Sequence, residues 1–186
     1  MGCFNSVKVI EEKFKGNNYL EGSHSNRSDQ TNLSSLDPES IQNNFNKENL
    51  LKIHNTYRKK HKSPELILND ELNKIADKYA KDLCETNNEI FLHKTFNSEA
   101  IGENIYFSEN NINGEKIIEE WYEESQGYDY KKDFQKDKIH FSQLIWKSSK
   151  FVGFGVNYND EKFCFVTLYS PAGNIIGKYK KNVEKE

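Results

Sequence analysis

The sequence is poor in the residues that brace secreted proteins, and it has no segment long and apolar enough to cross a membrane. Its 186 residues include 3 cysteines, 3 prolines, 2 tryptophans and 1 methionine. Cys3, Cys84 and Cys164 are too few and too scattered for a disulfide framework, which points to a reducing compartment. No hydrophobic run approaches the roughly 20 residues that a spanning helix needs. Basic residues are not in excess either. Lys and Arg number 26 against 29 Asp and Glu, a net charge of -3, so nothing in the balance argues for nucleic acid. The cluster of Lys178, Lys180 and Lys181 reads as a solvated tail. What is present is a chain 30% charged, 35% hydrophobic and 13% aromatic, long enough for one domain with a proper core and some excess.

The excess lies at the start. Met1-Gly2-Cys3-Phe4-Asn5-Ser6 satisfies the N-myristoylation pattern, with Cys3 beside it as a palmitoylation candidate. One myristoyl chain binds membranes only marginally, so the second acyl group is what makes the pair informative. A secretory signal is disfavoured, because Val7, Val9 and Ile10 are interrupted by Lys8 and followed by Glu11, Glu12 and Lys13. Residues 1–15 are therefore read as an acylated segment and 16–45 as a flexible polar tether, whose Asn, Ser, Gly, Gln and Asp bury too little surface to offset ordering. Within the tether, Leu33, Leu36, Ile41 and Phe45 can form a short docking turn.

A folded domain spans 46–183. Leu50, Ile53, His54, Tyr57 and His61 recur at helical spacing, with cationic residues in the last turn suited to the negative end of the helix dipole, before Ser63-Pro64 breaks the run. A second helix is capped by Asn69. It carries Leu72, Ile75, Ala76, Tyr79, Ala80 and Leu83 as one apolar stripe and ends at Asn87-Asn88. Cys84 sits on its buried side and Cys164 in an apolar strand, both as buried free thiols. Asn113-Gly114 opens a third helix with Ile117, Ile118, Trp121 and Tyr122 inward. Of its carboxylates, Glu119, Glu120 and Glu123 can stay wet while Glu124 shares the indole's side. Phe151–Tyr158 and Lys162–Ser170 read as an antiparallel hairpin, in which Gly153 and Gly155 are costly unless a neighbouring backbone packs closely.

Four segments carry more than packing: His54-Asn55-Thr56-Tyr57-Arg58, Gly102-Glu103-Asn104-Ile105, Trp121-Tyr122-Glu123-Glu124 and His140-Phe141-Ser142-Gln143-Leu144-Ile145-Trp146, followed by Tyr169-Ser170-Pro171-Ala172-Gly173-Asn174. A histidine among apolar neighbours is by default a satisfied core residue. In this order and spacing, however, the segments resemble the signatures of the CAP superfamily (cysteine-rich secretory proteins, antigen 5 and pathogenesis-related proteins), and most closely its myristoylated, disulfide-poor, Golgi-associated type. The chain departs from the family at Thr167, where a cysteine is common.

The resemblance implies an α/β fold, a three-layer α-β-α sandwich with a mainly antiparallel central sheet. It also implies a cleft gathering His93, Glu103, Glu124 and His140. His54, Asn55, Asn104, Gln143, Trp146, Tyr169, Gly173 and Asn174 are carried over as structural signature residues. Two imidazoles and two carboxylates suit Zn²⁺ with an open position, and the same four residues equally suit a closed hydrogen-bond network. Three functions follow as alternatives. The first is a lipid-anchored module on the cytosolic face of the Golgi or another membrane, binding a sterol, a fatty acid or an acidic phospholipid. The second is a metal- or serine-dependent hydrolase, with Ser108 the nearby hydroxyl. The third is a homodimeric interaction scaffold, and secretion, as in most of the superfamily, is the alternative location.

Overall fold

The computed structural model describes residues 44–85, 95–109, 113–159 and 162–186. The acylation pattern at Gly2 and Cys3, Leu33, Leu36 and Ile41 of the tether, and His93 lie outside the described residues.

Helix α1, Lys47–Lys60, starts where the Asn46 side chain accepts from the backbone N–H of Asn49. Just before it, Phe45 is buried against the rings of Phe163 and Phe165. Strand β1, Ile67–Leu68, leads to α2, Asp70–Glu85, whose first turn is capped by Asn69 Oδ1 accepting from Glu71 and Leu72. Then come β2, Thr95–Phe96, β3, Glu99–Ala100, and β4, Gly102–Ser108. Helix α3, Gly114–Glu123, is capped by Asn113 and ends at Glu124. A 3-10 turn at Lys136–Lys138 precedes α4, Ile139–Leu144, and the hairpin β5, Phe151–Tyr158, and β6, Phe163–Ser170, follows. Short α5, Tyr179–Asn182, takes up the basic cluster. Its lysines are exposed, but Tyr179 and Asn182 are buried, so this stretch is a docked helix rather than a solvated tail.

The main sheet runs β1-β5-β6-β4. β5 and β4 pair antiparallel with β6, and the two-residue β1 pairs parallel with β5. Helix α2 covers one face, packing Leu72, Ala76, Tyr79, Ala80 and Leu83 on Ile105, Val166 and Leu168. On the other face the helices and loops place Leu50, Ile117, Ile118, Trp121, Phe141 and Leu144 against Phe154, Phe163, Phe165 and Tyr169. The result is the three-layer α-β-α sandwich with a mainly antiparallel sheet.

The glycines of β5 set how close α2 lies. A Cβ at Gly153 would fall into the backbone of Leu72 and Asn73, and one at Gly155 into that of Ala76 and Asp77. With the backbones this near, Asn73 Oδ1 accepts from Phe154 N at 2.9 Å, and Asn69 N donates to Val152 O at 2.9 Å. Helix α2 thereby supplies the hydrogen bonds that a longer β1 would have made.

Candidate functional site

On the α1/α3/α4 side a hydrogen-bonded network runs through the aromatic core. His54 is fully buried, and its Nδ1–H donates to the Leu50 carbonyl at 2.9 Å. That fixes Nε2 as the acceptor of the Tyr169 hydroxyl, also at 2.9 Å. The hydroxyl in turn accepts from Asn104 Nδ2 at 3.4 Å, which also donates to the His140 carbonyl at 3.0 Å. Burial is the main cause that drives the His54 imidazole down to about 4, so it is neutral at ordinary pH. Beside it Asn55 closes a two-bond clasp on Leu66, donating to its carbonyl and accepting from its N–H.

Arg58 is also fully buried. The helical period had marked it only as a cation near the end of α1. In the fold its guanidinium donates to the carbonyls of Pro64, Leu144, Trp146 and Ser149 at 2.8 to 3.1 Å. Burial lowers it to about 10, which leaves it charged. Its spacing of four from His54 and eight from Leu50 was the available signal, since all three share one stripe.

Helix α4 is held from both ends by the signature residues. Ser142 Oγ donates to Asn174 Oδ1 at 2.6 Å, and Asn174 Nδ2 donates to the Ile139 carbonyl at 2.9 Å. Gln143 Oε1 accepts from Gly173 N at 2.8 Å, in a space that a Cβ at Gly102 or Gly173 would fill. Trp146 is buried edge-on against Tyr179.

At the start of α4 the Glu124 carboxylate makes three hydrogen bonds. Oε2 accepts from the backbone N–H groups of His140 and Phe141 at 3.0 and 3.1 Å, and Oε1 accepts from His140 Nδ1–H at 2.6 Å. The inward turn expected of this carboxylate is thus satisfied by capping the next helix and orienting its histidine. His140 is 5% exposed and stacks on the Trp121 ring, with centroids 5.7 Å apart and planes 12° apart. Its Nε2 is buried and has no hydrogen-bond partner among the described residues.

Glu103 lies elsewhere. It pairs with Leu168 across β4 and β6, and opposed residues of an antiparallel pair share a face, so it sits on the α2 side. There Tyr79 of α2 hydrogen-bonds to it, and burial still pushes the carboxyl up to about 7. Its neighbour Asn104 points the other way, into the His54 network. The structure therefore brings Glu124 and His140 together and places Glu103 on the opposite face of β4. Among the described residues no group of three or more His, Cys, Asp and Glu could hold a metal ion. Ser108 closes the far end of β4, opposite Phe163. At the strand rise, five residues put it about 17 Å along the chain from Glu103.

A cavity of about 440 Å³ opens at the C-terminal ends of α1 and α3, lined by Lys60, His61, Tyr122, Tyr128, Tyr130 and Lys185, among others. The Tyr57 and Tyr122 rings stack at 3.9 Å beneath Lys60, whose Nζ lies 5.2 Å from the Tyr122 centroid. The Tyr122 hydroxyl donates to the Glu186 carboxylate, and Lys60 Nζ lies 4.0 Å from that carboxylate. Sequence reading passed over this site. His61 and Tyr122 counted there as core positions, and Lys185 and Glu186 lay beyond the expected domain end.

A sandwich of this topology, with signature loops latched onto a short helix that bears an oriented histidine, defines a CAP-type domain. Comparison with known proteins gives the same answer: the model of the cysteine-rich secretory protein (CAP) family matches residues 51–169, and the chain belongs to that family. It is 33% identical to Golgi-associated plant pathogenesis-related protein 1 of Homo sapiens over 139 residues, 72% of this chain and 89% of that protein. Its fold is similar to that of Schistosoma mansoni venom allergen-like protein 4, with TM-score 0.57 and 21% identity over 75% of this chain and 92% of that one. It is also similar to NaASP2 crystallised with Zn²⁺, with TM-score 0.56 and 19% identity over 86% and 90%. Among the described residues no helix is long and apolar enough to cross a membrane.

Proposed function

We propose that this chain is a lipid-anchored CAP-domain protein of the cytosolic membrane face, held by myristate on Gly2 and palmitate on Cys3, and that its domain binds acidic lipid rather than performing catalysis. The observation that carries this reading is the cavity between α1 and α3. Its walls are aromatic, its rim holds Lys60 and Lys185, and it receives a carboxylate, that of Glu186. A lipid acid or phosphate headgroup presents the same chemistry, while tyrosine faces suit the upper acyl chain. The similarity to the human Golgi-associated relative supports the Golgi as the membrane. The position of Ser108 weighs against the serine hydrolase, since it lies five residues along β4 from Glu103 and on the other face of the strand.

The test is sedimentation of the full, unacylated chain with phosphatidylcholine vesicles with and without phosphatidylserine. Binding is expected only with the acidic lipid. Lys60→Glu should weaken it about tenfold or more, because each basic charge at an anionic surface contributes roughly 1 kcal/mol and the reversal removes two. Binding indifferent to acidic lipid would leave the homodimeric scaffold as the better reading. In cells, Gly2→Ala should move the protein from the membrane to the soluble fraction.

A second reading rests on His140. Glu124 holds Nδ1–H, and in the neutral imidazole the buried Nε2 then presents its lone pair, the carboxylate–histidine arrangement that orients metal ligands. His140 with His93 would hold Zn²⁺, with Glu124 positioning its histidine rather than ligating. A bound zinc would supply Lewis acidity there. Calorimetry should show Zn²⁺ binding lost in the His93→Ala, His140→Ala double variant.

A further inference from the structure

Cys84 and Cys164 stand 80 residues apart in sequence, and the fold sets their sulfurs 2.7 Å apart as free thiols. Cys84 lies in the last turn of α2, 3% exposed, and Cys164 near the start of β6 on the face that α2 covers, 0% exposed. The corner is tied to the β5–β6 hairpin. Cys84 Sγ is 3.2 Å from the Asn157 carbonyl, and Asn159 Nδ2 donates to the Cys84 carbonyl at 2.8 Å. Among the described residues no third metal-ligating side chain joins them. What the structure presents is a buried pair of adjacent thiols bridging helix and sheet.

We propose that Cys84 and Cys164 are a modification site that closes to an intramolecular disulfide by exchange with a low-molecular-weight disulfide such as oxidised glutathione. Cys84 is the entry. It is the residue before Glu85, where α2 ends, and terminal turns open at low cost, whereas Cys164 is fixed between β4 and β5. The Cys164 thiol hydrogen-bonds to the Cys84 sulfur and lowers it, with Lys162 also favouring the thiolate. The Cys84 thiolate attacks one sulfur of the oxidant, forming a mixed disulfide and releasing one glutathione thiolate. Cys164 then gives up its proton and attacks Cys84 Sγ, making the Sγ–Sγ bond and expelling the second glutathione thiolate. Two cysteine thiols are oxidised and one disulfide is reduced. The two protons leave with the two glutathione thiols. The product fastens the end of α2 to β6, and in a compartment that keeps thiols reduced the pair stays open.

The experiment uses the full chain, incubated with oxidised glutathione and, in parallel, refolded from denaturant in it, which removes any barrier of access. Non-reducing peptide mapping by mass spectrometry should show the Cys84 and Cys164 peptides joined, short of two hydrogens, and a Tm several degrees above that of the reduced chain. Cys3→Ser should leave both results intact. Cys84→Ser and Cys164→Ser should each abolish the Tm rise, and each variant's reduced Tm shows that it still folds. Free thiols, stable glutathione adducts or links to Cys3 in the refolded sample would overturn the proposal. So would a Tm rise that survives Cys84→Ser.

Discussion

Strand β6 divides the molecule into two kinds of core. All eight of its residues are buried, and alternate residues face opposite layers. Toward α2 it shows Cys164, Val166 and Leu168, and the packing is apolar and close, with Asn73 and its bond to Phe154 and Glu103 and its Tyr79 hydrogen bond as exceptions. Toward α1, α3 and α4 it shows Phe163, Phe165, Thr167 and Tyr169, and between the aromatic rings run His54, Tyr169, Asn104, His140 and Glu124 in hydrogen-bonded series, with Arg58 held separately by backbone carbonyls. The apolar side is held by proximity of backbones and tolerates only shape. The polar side is held by partnered donors and acceptors, each of which becomes costly once its partner is gone. His140 sits at the end of this layer.

The contrast can be broken hardest at Arg58. Arg58→Met should lower stability by roughly 4 kcal/mol in urea unfolding, since the three buried carbonyls of Leu144, Trp146 and Ser149 lose their donor and each unsatisfied group costs about 1 kcal/mol or more. A loss no larger than that of an exposed Lys→Met change would show the polar layer to be dispensable.

The next effect is the pH dependence that His54 gives the polar side. The His54 pKa falls from 6.5 to about 4 on folding, so the unfolded chain takes up the proton first. The stability contributed by neutral His54 is fully present above pH 6.5 and is lost as pH falls toward about 4. The loss amounts to roughly 3 kcal/mol at about 1.4 kcal/mol per unit. Wild type should therefore lose this much relative to His54→Gln between those pH values, and parallel curves for the two proteins would refute the neutral, buried imidazole.

The smallest effect belongs to the apolar side. Gly155→Ala pushes a methyl into the Ala76 backbone, and overpacking of this kind costs about 2 kcal/mol. Because the disturbance is one of shape, it should not vary with pH between 4 and 7. A penalty that follows the His54 titration and persists in Glu103→Gln would mean that the two layers are coupled through the sheet.

The apolar side was also the legible one. The α2 stripe follows from helical period, and the two glycines in β5 called for a close backbone neighbour, which α2 is. The parallel pairing of Ile67–Leu68 and the small hairpin at Thr95–Ala100 escaped notice because two-residue strands have no period to read. On the polar side His54, Asn104, Gln143, Tyr169 and Asn174 were marked by family likeness, with no local rule to say what they bind. Arg58 was misjudged because its acceptors come from residues 64 to 149, and nothing near it in sequence announces them. The juxtaposition of Cys84 and Cys164 is equally non-local. Glu103 was the opposite case. Alternation alone puts it and Asn104 on different faces of β4, a simpler rule than the likeness that grouped it with His140.

The stack of Trp121 on His140 gives the protein an optical gauge. Both tryptophans are buried, but Trp146 lies edge-on to Tyr179, so the imidazole at the candidate site adjoins a single indole. Emission from Trp121 will respond to whatever happens to that ring, whether a proton, an ion or a ligand arrives, against a steady background from Trp146. Events at the site can thus be followed by their light, without a label and in the unaltered chain.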